Sequence, residues 1–109
     1  MVEFFNRIDY NRNMVLKLSE IKEFVTQIAK EFDLTKVTLF GSYANGNATN
    51  ESDIDLLVEF TEPDVSLFQI IRVQLKMEEL TGKEVDVIHA PIPKESILEI
   101  DKEVLLYAA

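Results

Sequence analysis

Apolar side chains recur at every third or fourth position in two segments, which predicts two amphipathic helices. The first runs from Ser19, a residue type that often caps helices, to Asp33. The second follows Ser66, which forms a capping-box pattern with Gln69, and ends before Gly82. The apolar positions are Ile21, Phe24, Val25, Ile28, Ala29 and Phe32 in the first helix and Leu67, Phe68, Ile71, Leu75 and Leu80 in the second.

Short apolar runs predict three β-strands, at residues 36–40, 53–60 and 84–89. The residues after Gly41-Ser42 predict a short helix, and residues 1–17 show no clean period. Beyond the two prolines near residue 92, a last helix is predicted from Ile97, Leu98, Ile100, Val104, Leu105 and Tyr107. This order is typical of an α/β (α+β) fold, a small mixed β-sheet with helices packed on it.

The composition predicts one compact domain over residues 1–109, with 47% hydrophobic residues, three glycines and three prolines. Eleven basic and twenty acidic residues give a net charge of −9, which opposes direct binding to nucleic acid. The absence of cysteine excludes disulfides and thiolate metal sites. No apolar run approaches the ~18 residues of a membrane span, so a cytoplasmic protein without membrane association is expected.

Gly41-Ser42, ten residues and then Asp53-Ile54-Asp55 form the motif that carries chemistry. Two carboxylates two residues apart on a strand share one face, where they can hold a divalent cation such as Mg2+. A Gly-Ser turn between a strand and a helix can bind phosphate. The simpler interpretation is a helix-capping turn followed by solvated residues at a strand start, and the paired spacing favours the chemical one.

The segment from Gly41 to Val58 resembles the signature of the minimal nucleotidyltransferase (MNT) family, small relatives of DNA polymerase beta. The resemblance implies a nucleotidyltransferase fold in which Gly41 and Ser42 bind ATP, while Asp53, Asp55 and Asp86 bind Mg2+ and catalyse AMP transfer to a hydroxyl. Asp86, in the third strand, would be the third carboxylate and the general base. Its alternative is a strand residue that faces water.

The family resemblance also implies a partner. Proteins of this kind are antitoxins of HEPN/MNT pairs, in which the HEPN protein is a helical ribonuclease toxin and the antitoxin adenylylates a toxin tyrosine. A neighbouring gene for a small helical protein with an Arg-x4-6-His motif would favour this interpretation. The alternatives are an inactive antitoxin that neutralises its partner by binding alone, and a small-molecule nucleotidyltransferase.

Asn45 departs from the family pattern, which often has arginine at this place. Asparagine cannot supply that positive charge near phosphate. Either Arg72 or Lys76 on the following helix replaces it, or catalysis is weaker. His89, the single histidine of the chain, is assigned no catalytic role because no serine or cysteine nucleophile lies near it in sequence.

Overall fold

The computed structural model describes residues 14–62, 64–89 and 102–109. In chain order these residues form helix α1, strand β1, the short helix α2, strand β2, helix α3 and strands β3 and β4. Their bounds are α1 Leu18–Glu31, β1 Leu34–Phe40, α2 Ser42–Asn45, β2 Ile54–Phe60, α3 Leu67–Thr81, β3 Val85–His89 and β4 Val104–Ala108.

The four strands form one mixed sheet in the order β3-β2-β1-β4. β1 pairs antiparallel with β2 and with β4, whereas β2 pairs parallel with β3. The parallel pair requires a crossover, and α3 supplies it. α1 packs against β1, β4 and α3, and α3 packs against β3. The predicted fold class is therefore confirmed.

The core lies between the helices and one face of the sheet, and the strand period of two decides which residues enter it. In β2, Ile54, Leu56 and Val58 are buried, while the residues between them are half-buried on the other face. The helices add Ile21, Val25, Ile28, Val73 and Met77, all without exposed surface. Asp55 and Asp86 lie on the other, outer face of β2 and β3.

The sequence predicted the start of α3 correctly and the start of α1 one residue too late. α3 begins at its predicted cap, because the Ser66 hydroxyl oxygen accepts a hydrogen bond from the Gln69 N–H at 3.3 Å. α1 begins one residue before Ser19, with Lys17 as the N-cap. The Glu20 carboxylate accepts a hydrogen bond from the Lys17 N–H at 2.9 Å, which stabilises this earlier start.

The predicted last helix is wrong over residues 104–108, which form β4 at the edge of the sheet. An apolar run this short does not distinguish a strand from a buried helix. The free edge of β1 decides the outcome, since its N–H and C=O groups need partners. Leu106 points into the core, and the Ala109 N–H donates to the Thr35 carbonyl at 2.9 Å. Residues 102 and 103 lie in neither a helix nor a strand, and the part of the predicted helix before them lies outside the described residues.

Candidate active site

Asp55 and Asp86 face each other across the parallel β2–β3 pair, as direct register partners. Their carboxyl groups are close enough for a hydrogen bond when one of the two carries a proton. Burial is the largest cause that raises the pKa of Asp55, to about 6, followed by the Asp86 charge, this hydrogen bond and the Asp53 charge. The pair is therefore a site of concentrated negative charge.

Gly41 packs closely against the Asp55 side chain. Its φ of 77° is in the region that favours glycine, and a Cβ at this position would overlap Oδ2 of Asp55 and lie 3.1 Å from its Cγ. Phe40, the preceding residue, is the register partner of Asp55 in β1. The Gly-Ser turn and the carboxylate pair, predicted to act together, are thus in direct contact at Gly41 and Asp55.

Ser42 starts α2, which is attached firmly to the core. Tyr43 and Ala44 are buried, and the Tyr43 hydroxyl accepts a hydrogen bond from the Leu16 N–H at 3.4 Å. The Asn45 N–H donates to the Gly41 carbonyl at 3.0 Å, while the Asn45 side chain is exposed. The turn is therefore held in place by its neighbours. Sequence reasoning did not assign this anchoring role to Tyr43.

A cleft of about 820 Å³ opens beside the carboxylates. It lies where the loop before β2 meets the α3–β3 junction. The described residues that line it are Asn50, Glu51, Ser52, Asp53, Gln74, Glu78, Gly82, Lys83, Glu84 and Asp86. Asp53 and Asp86 line the cleft together, and five carboxylates surround one lysine. The cleft is large enough for a small ligand or for a short part of a larger one.

The cation in this lining is Lys83, and neither Arg72 nor Lys76 is among the lining residues. The Arg72 guanidinium lies 5.7 Å from the centroid of the Phe32 ring, and Lys76 forms an ion pair with Glu79 at 3.9 Å. The two candidates for replacing the missing arginine are therefore engaged elsewhere. Burial lowers the pKa of the Lys83 amine. The sequence held one signal for Lys83: it follows the helix-ending Gly82 and lies three residues before Asp86.

The donors fit a divalent cation that is shared with a nucleotide. Carboxylate oxygens are preferred by Mg2+, which commonly takes one or two of them together with substrate phosphates. Within residues 14–62, 64–89 and 102–109, no group of three or more His, Cys, Asp or Glu side chains is arranged to hold a metal. The neighbouring carboxylates of Asp55 and Asp86, with Asp53 beside Asp86 in the cleft lining, would suit this shared arrangement.

His89 packs edge-on against Phe60, with 5.4 Å between the ring centroids. Phe60 and His89 are the last residues of β2 and β3, at the end of these strands that is opposite to the carboxylate pair. His89 therefore has a structural contact and lies away from the site.

No helix in the part of the chain that the structure describes is long and apolar enough to cross a membrane.

The sequence profile of the nucleotidyltransferase domain family matches residues 18–107. The chain belongs to this family, and it is accordingly a nucleotidyltransferase. A Methanocaldococcus jannaschii protein provisionally named as a protein adenylyltransferase is 39% identical over 95 residues, 83% of this chain and 100% of the relative. The protein adenylyltransferase MntA of Thermococcus cleftensis is 37% identical over 78 residues, 68% of this chain and 78% of the relative.

Solved structures show the same fold. A toxin–antitoxin crystal structure with AMP-PNP matches with a TM-score of 0.69 at 17% identity, covering 81% of this chain and 73% of that one. The complex of a tri-AMPylated Shewanella oneidensis HEPN toxin with its MNT antitoxin matches with a TM-score of 0.64 at 14% identity, covering 85% and 74%. At these identities the likeness concerns the fold alone.

Proposed function

We propose that this protein is a Mg2+-dependent adenylyltransferase that transfers AMP from ATP to a tyrosine hydroxyl of a HEPN-type ribonuclease toxin, and thereby acts as its antitoxin. The contact of Gly41 with Asp55, the register partner of Asp86, carries the proposal, because it brings a turn suited to phosphate next to carboxylates suited to Mg2+. Relatives named as protein adenylyltransferases and a related fold beside an AMPylated toxin support the acceptor class.

Each residue of the site has a role in this reaction. Gly41 lets the backbone approach the triphosphate, and the Ser42 hydroxyl and N–H donate to phosphate oxygens. Asp53 and Asp55 would hold Mg2+, which supplies positive charge against the charge that develops on the α-phosphate and the leaving pyrophosphate. Asp86 is exposed at the cleft, where a carboxylate oxygen can accept the proton of the attacking hydroxyl.

Intact-mass spectrometry tests the reaction. After incubation of the toxin partner with this protein, Mg2+ and ATP, the toxin should gain about 329 Da per AMP, and peptide mapping should place the addition on tyrosine. The double variant Asp53→Asn, Asp55→Asn should abolish the gain because its amide groups bind Mg2+ poorly. Asp64→Asn, an exposed carboxylate outside the site, is the matched control. An active double variant would contradict the proposed metal site.

A second function, neutralisation by binding alone, is favoured by an exposed apolar stripe on α3. The stripe consists of Leu67, Phe68, Ile71 and Leu75, which lie on one face of the helix, and Phe68 is 77% exposed. Contiguous exposed apolar surface commonly marks a protein interface. Gln74 and Glu78 lie beside the stripe and also line the cleft, so a partner on the stripe would reach the carboxylates.

The stripe can be tested separately from catalysis. Phe68→Glu with Leu75→Glu puts two charges on the apolar stripe and should weaken association with the toxin partner in analytical ultracentrifugation. Both side chains are mostly exposed in this chain, so the fold should tolerate the charges. Leu105→Glu is the control, because Leu105 is also exposed, at 55%, but lies on β4. If the wild-type protein suppresses the ribonuclease stoichiometrically and adds no mass, binding alone is the function.

A further inference from the structure

Lys83 is a buried lysine in an otherwise acidic cleft, with only 7% of its surface exposed. Its Nζ donates a hydrogen bond to the backbone carbonyl of Asn50 at 2.8 Å, across the cleft mouth from the α3–β3 junction to the loop before β2. Burying an ammonium group is costly unless it is paired or hydrogen-bonded. The hydrogen bond to the Asn50 carbonyl offsets part of this cost for the Lys83 ammonium group.

The loop side of this contact is a turn that holds itself together. The Thr49 N–H donates to the Ser52 hydroxyl at 2.8 Å, the Ser52 N–H donates to the Thr49 carbonyl at 3.1 Å, and the Glu51 N–H donates to the Thr49 hydroxyl at 3.3 Å. These hydrogen bonds connect residues 49–52 into one turn, and Asp53 follows it directly. The Asn50 carbonyl is the point at which Lys83 holds this turn.

The other side of the contact is fixed to the core. The buried Thr81 hydroxyl donates to the Met77 carbonyl at 2.7 Å and accepts from the Lys83 N–H at 3.2 Å. The Glu78 carboxylate accepts from the Val85 N–H at 3.1 Å, at the start of the strand that carries Asp86. Lys83 thus extends from a rigid junction toward a turn whose other attachments are local.

We propose that Lys83 is a positioning residue that holds the 49–52 turn, and through it Asp53, against the junction that carries Asp86. Without this contact the turn can move away from the junction. Asp53 is then attached through Ile54, whose N–H donates to the Glu84 carbonyl at 2.9 Å, and its separation from the Asp55–Asp86 pair is less narrowly fixed. The nucleotide readout below rests on the proposed function, whereas the exchange readout does not.

Hydrogen–deuterium exchange of the whole protein without nucleotide tests the contact directly. Lys83→Met keeps most of the apolar stem and removes Nζ together with its hydrogen bond to Asn50. Amides of residues 49–53 should therefore exchange about 10- to 100-fold faster, the size of effect expected when a charged hydrogen bond is lost. Amides in the middle of α1 should keep their rates. Lys83→Gln, whose amide is too short to reach Asn50, should behave alike if the methionine variant does not fold.

Calorimetry with Mg2+ and ATP gives the second readout. Affinity should fall about 10- to 100-fold in Lys83→Met, the usual effect of losing a residue that orients a metal ligand. Lys83→Arg, which keeps charge and reach, should restore most of it. Lys36→Met is the control, because Lys36 is exposed and pairs only loosely with Glu59 at 3.9 Å.

Two results would overturn the proposal. The first is unchanged exchange at residues 49–53 in both neutral variants. The second is acceleration of exchange by the same factor in the turn and in α1, which would make Lys83 a general stabilising residue. If the wild-type protein fails to bind Mg2+ and ATP, the proposed function fails instead, and the exchange data still decide the role of Lys83.

Discussion

The two faces of β2 and β3 are built from alternate residues of the same strands and have opposite effects on stability. On the inner face, Ile54, Leu56 and Val85 have no exposed surface and pack in the core. On the outer face, Asp55 and Asp86 are register partners, and burial together with the Asp86 charge raises the pKa of Asp55. The inner face therefore supplies the free energy that keeps two repelling carboxylates side by side.

Truncation on the inner face should have the largest effect. Leu56→Ala removes a fully buried side chain and should lower the free energy of unfolding by about 2–5 kcal/mol, measured by urea denaturation. Leu57→Ala, one residue further on the half-buried outer face, is the matched control and should cost clearly less. Equal costs would mean that the two faces do not differ in packing as described.

Two glycine variants separate backbone strain from contact with the carboxylate. Gly46 has φ 80° and ψ 14°, in the left-handed helical region, so alanine should cost about 1–2 kcal/mol in strain there. Gly41 has φ 77° and ψ −157°, a region that is essentially restricted to glycine, so alanine should cost at least as much in strain at this position. Only Gly41→Ala also meets Asp55, whereas a Cβ at Gly46 meets nothing within 4 Å. Thermal unfolding should show the larger loss for Gly41→Ala, and the excess should shrink when Asp55 is also replaced by alanine.

Asp55→Asn should raise stability while it removes activity. The pKa of Asp55 is higher in the folded protein, about 6, than its ordinary value near 3.8, so the folded state binds the proton more tightly. Wild-type stability without metal should therefore fall as the pH rises from about 4 to above 6. Asp55→Asn should lack this fall and melt at a higher temperature than wild type at pH 8. Near pH 4 the two proteins should melt alike.

The smallest effect is expected from charges of opposite sign on the same outer face. Lys36 and Glu59 are register partners with their charged groups 3.9 Å apart and largely exposed. Glu59→Gln should change the free energy of unfolding by less than about 1 kcal/mol, as for other surface ion pairs. A larger loss in urea denaturation would show that the outer face stabilises the protein more than its exposure indicates.

The parts of the site that were predictable from sequence depend on local rules. The strand period placed Asp55 on the outer face, opposite to Ile54 and Leu56, and helix-capping rules placed the ends of α3. The predicted roles in binding and catalysis remain predictions. Strand periodicity and helix capping depend only on residues that are neighbours in sequence, so both features could be predicted.

The features that were missed depend on contacts between distant parts of the chain. β4 forms because β1 offers an unpaired edge, which a short apolar run cannot reveal. Lys83 reaches a carbonyl 33 positions away, and no local pattern identifies such a partner. Arg72 was considered for the site on its charge, yet its guanidinium lies over Phe32. The sequence did not show which of the basic residues on and after α3 lines the cleft.

The parallel pairing of β2 with β3 also sets the order in which the site can be assembled. Asp55 and Asp86 are separated by all of α3, so their encounter must wait until that helix has been synthesised and has crossed the sheet. A ribosome that has made β1 and β2 has already made the glycine-serine turn and Asp55, but not Asp86. Nascent chains that end before Val85 therefore lack one carboxylate of the pair, and the pair can form only after α3 has been made.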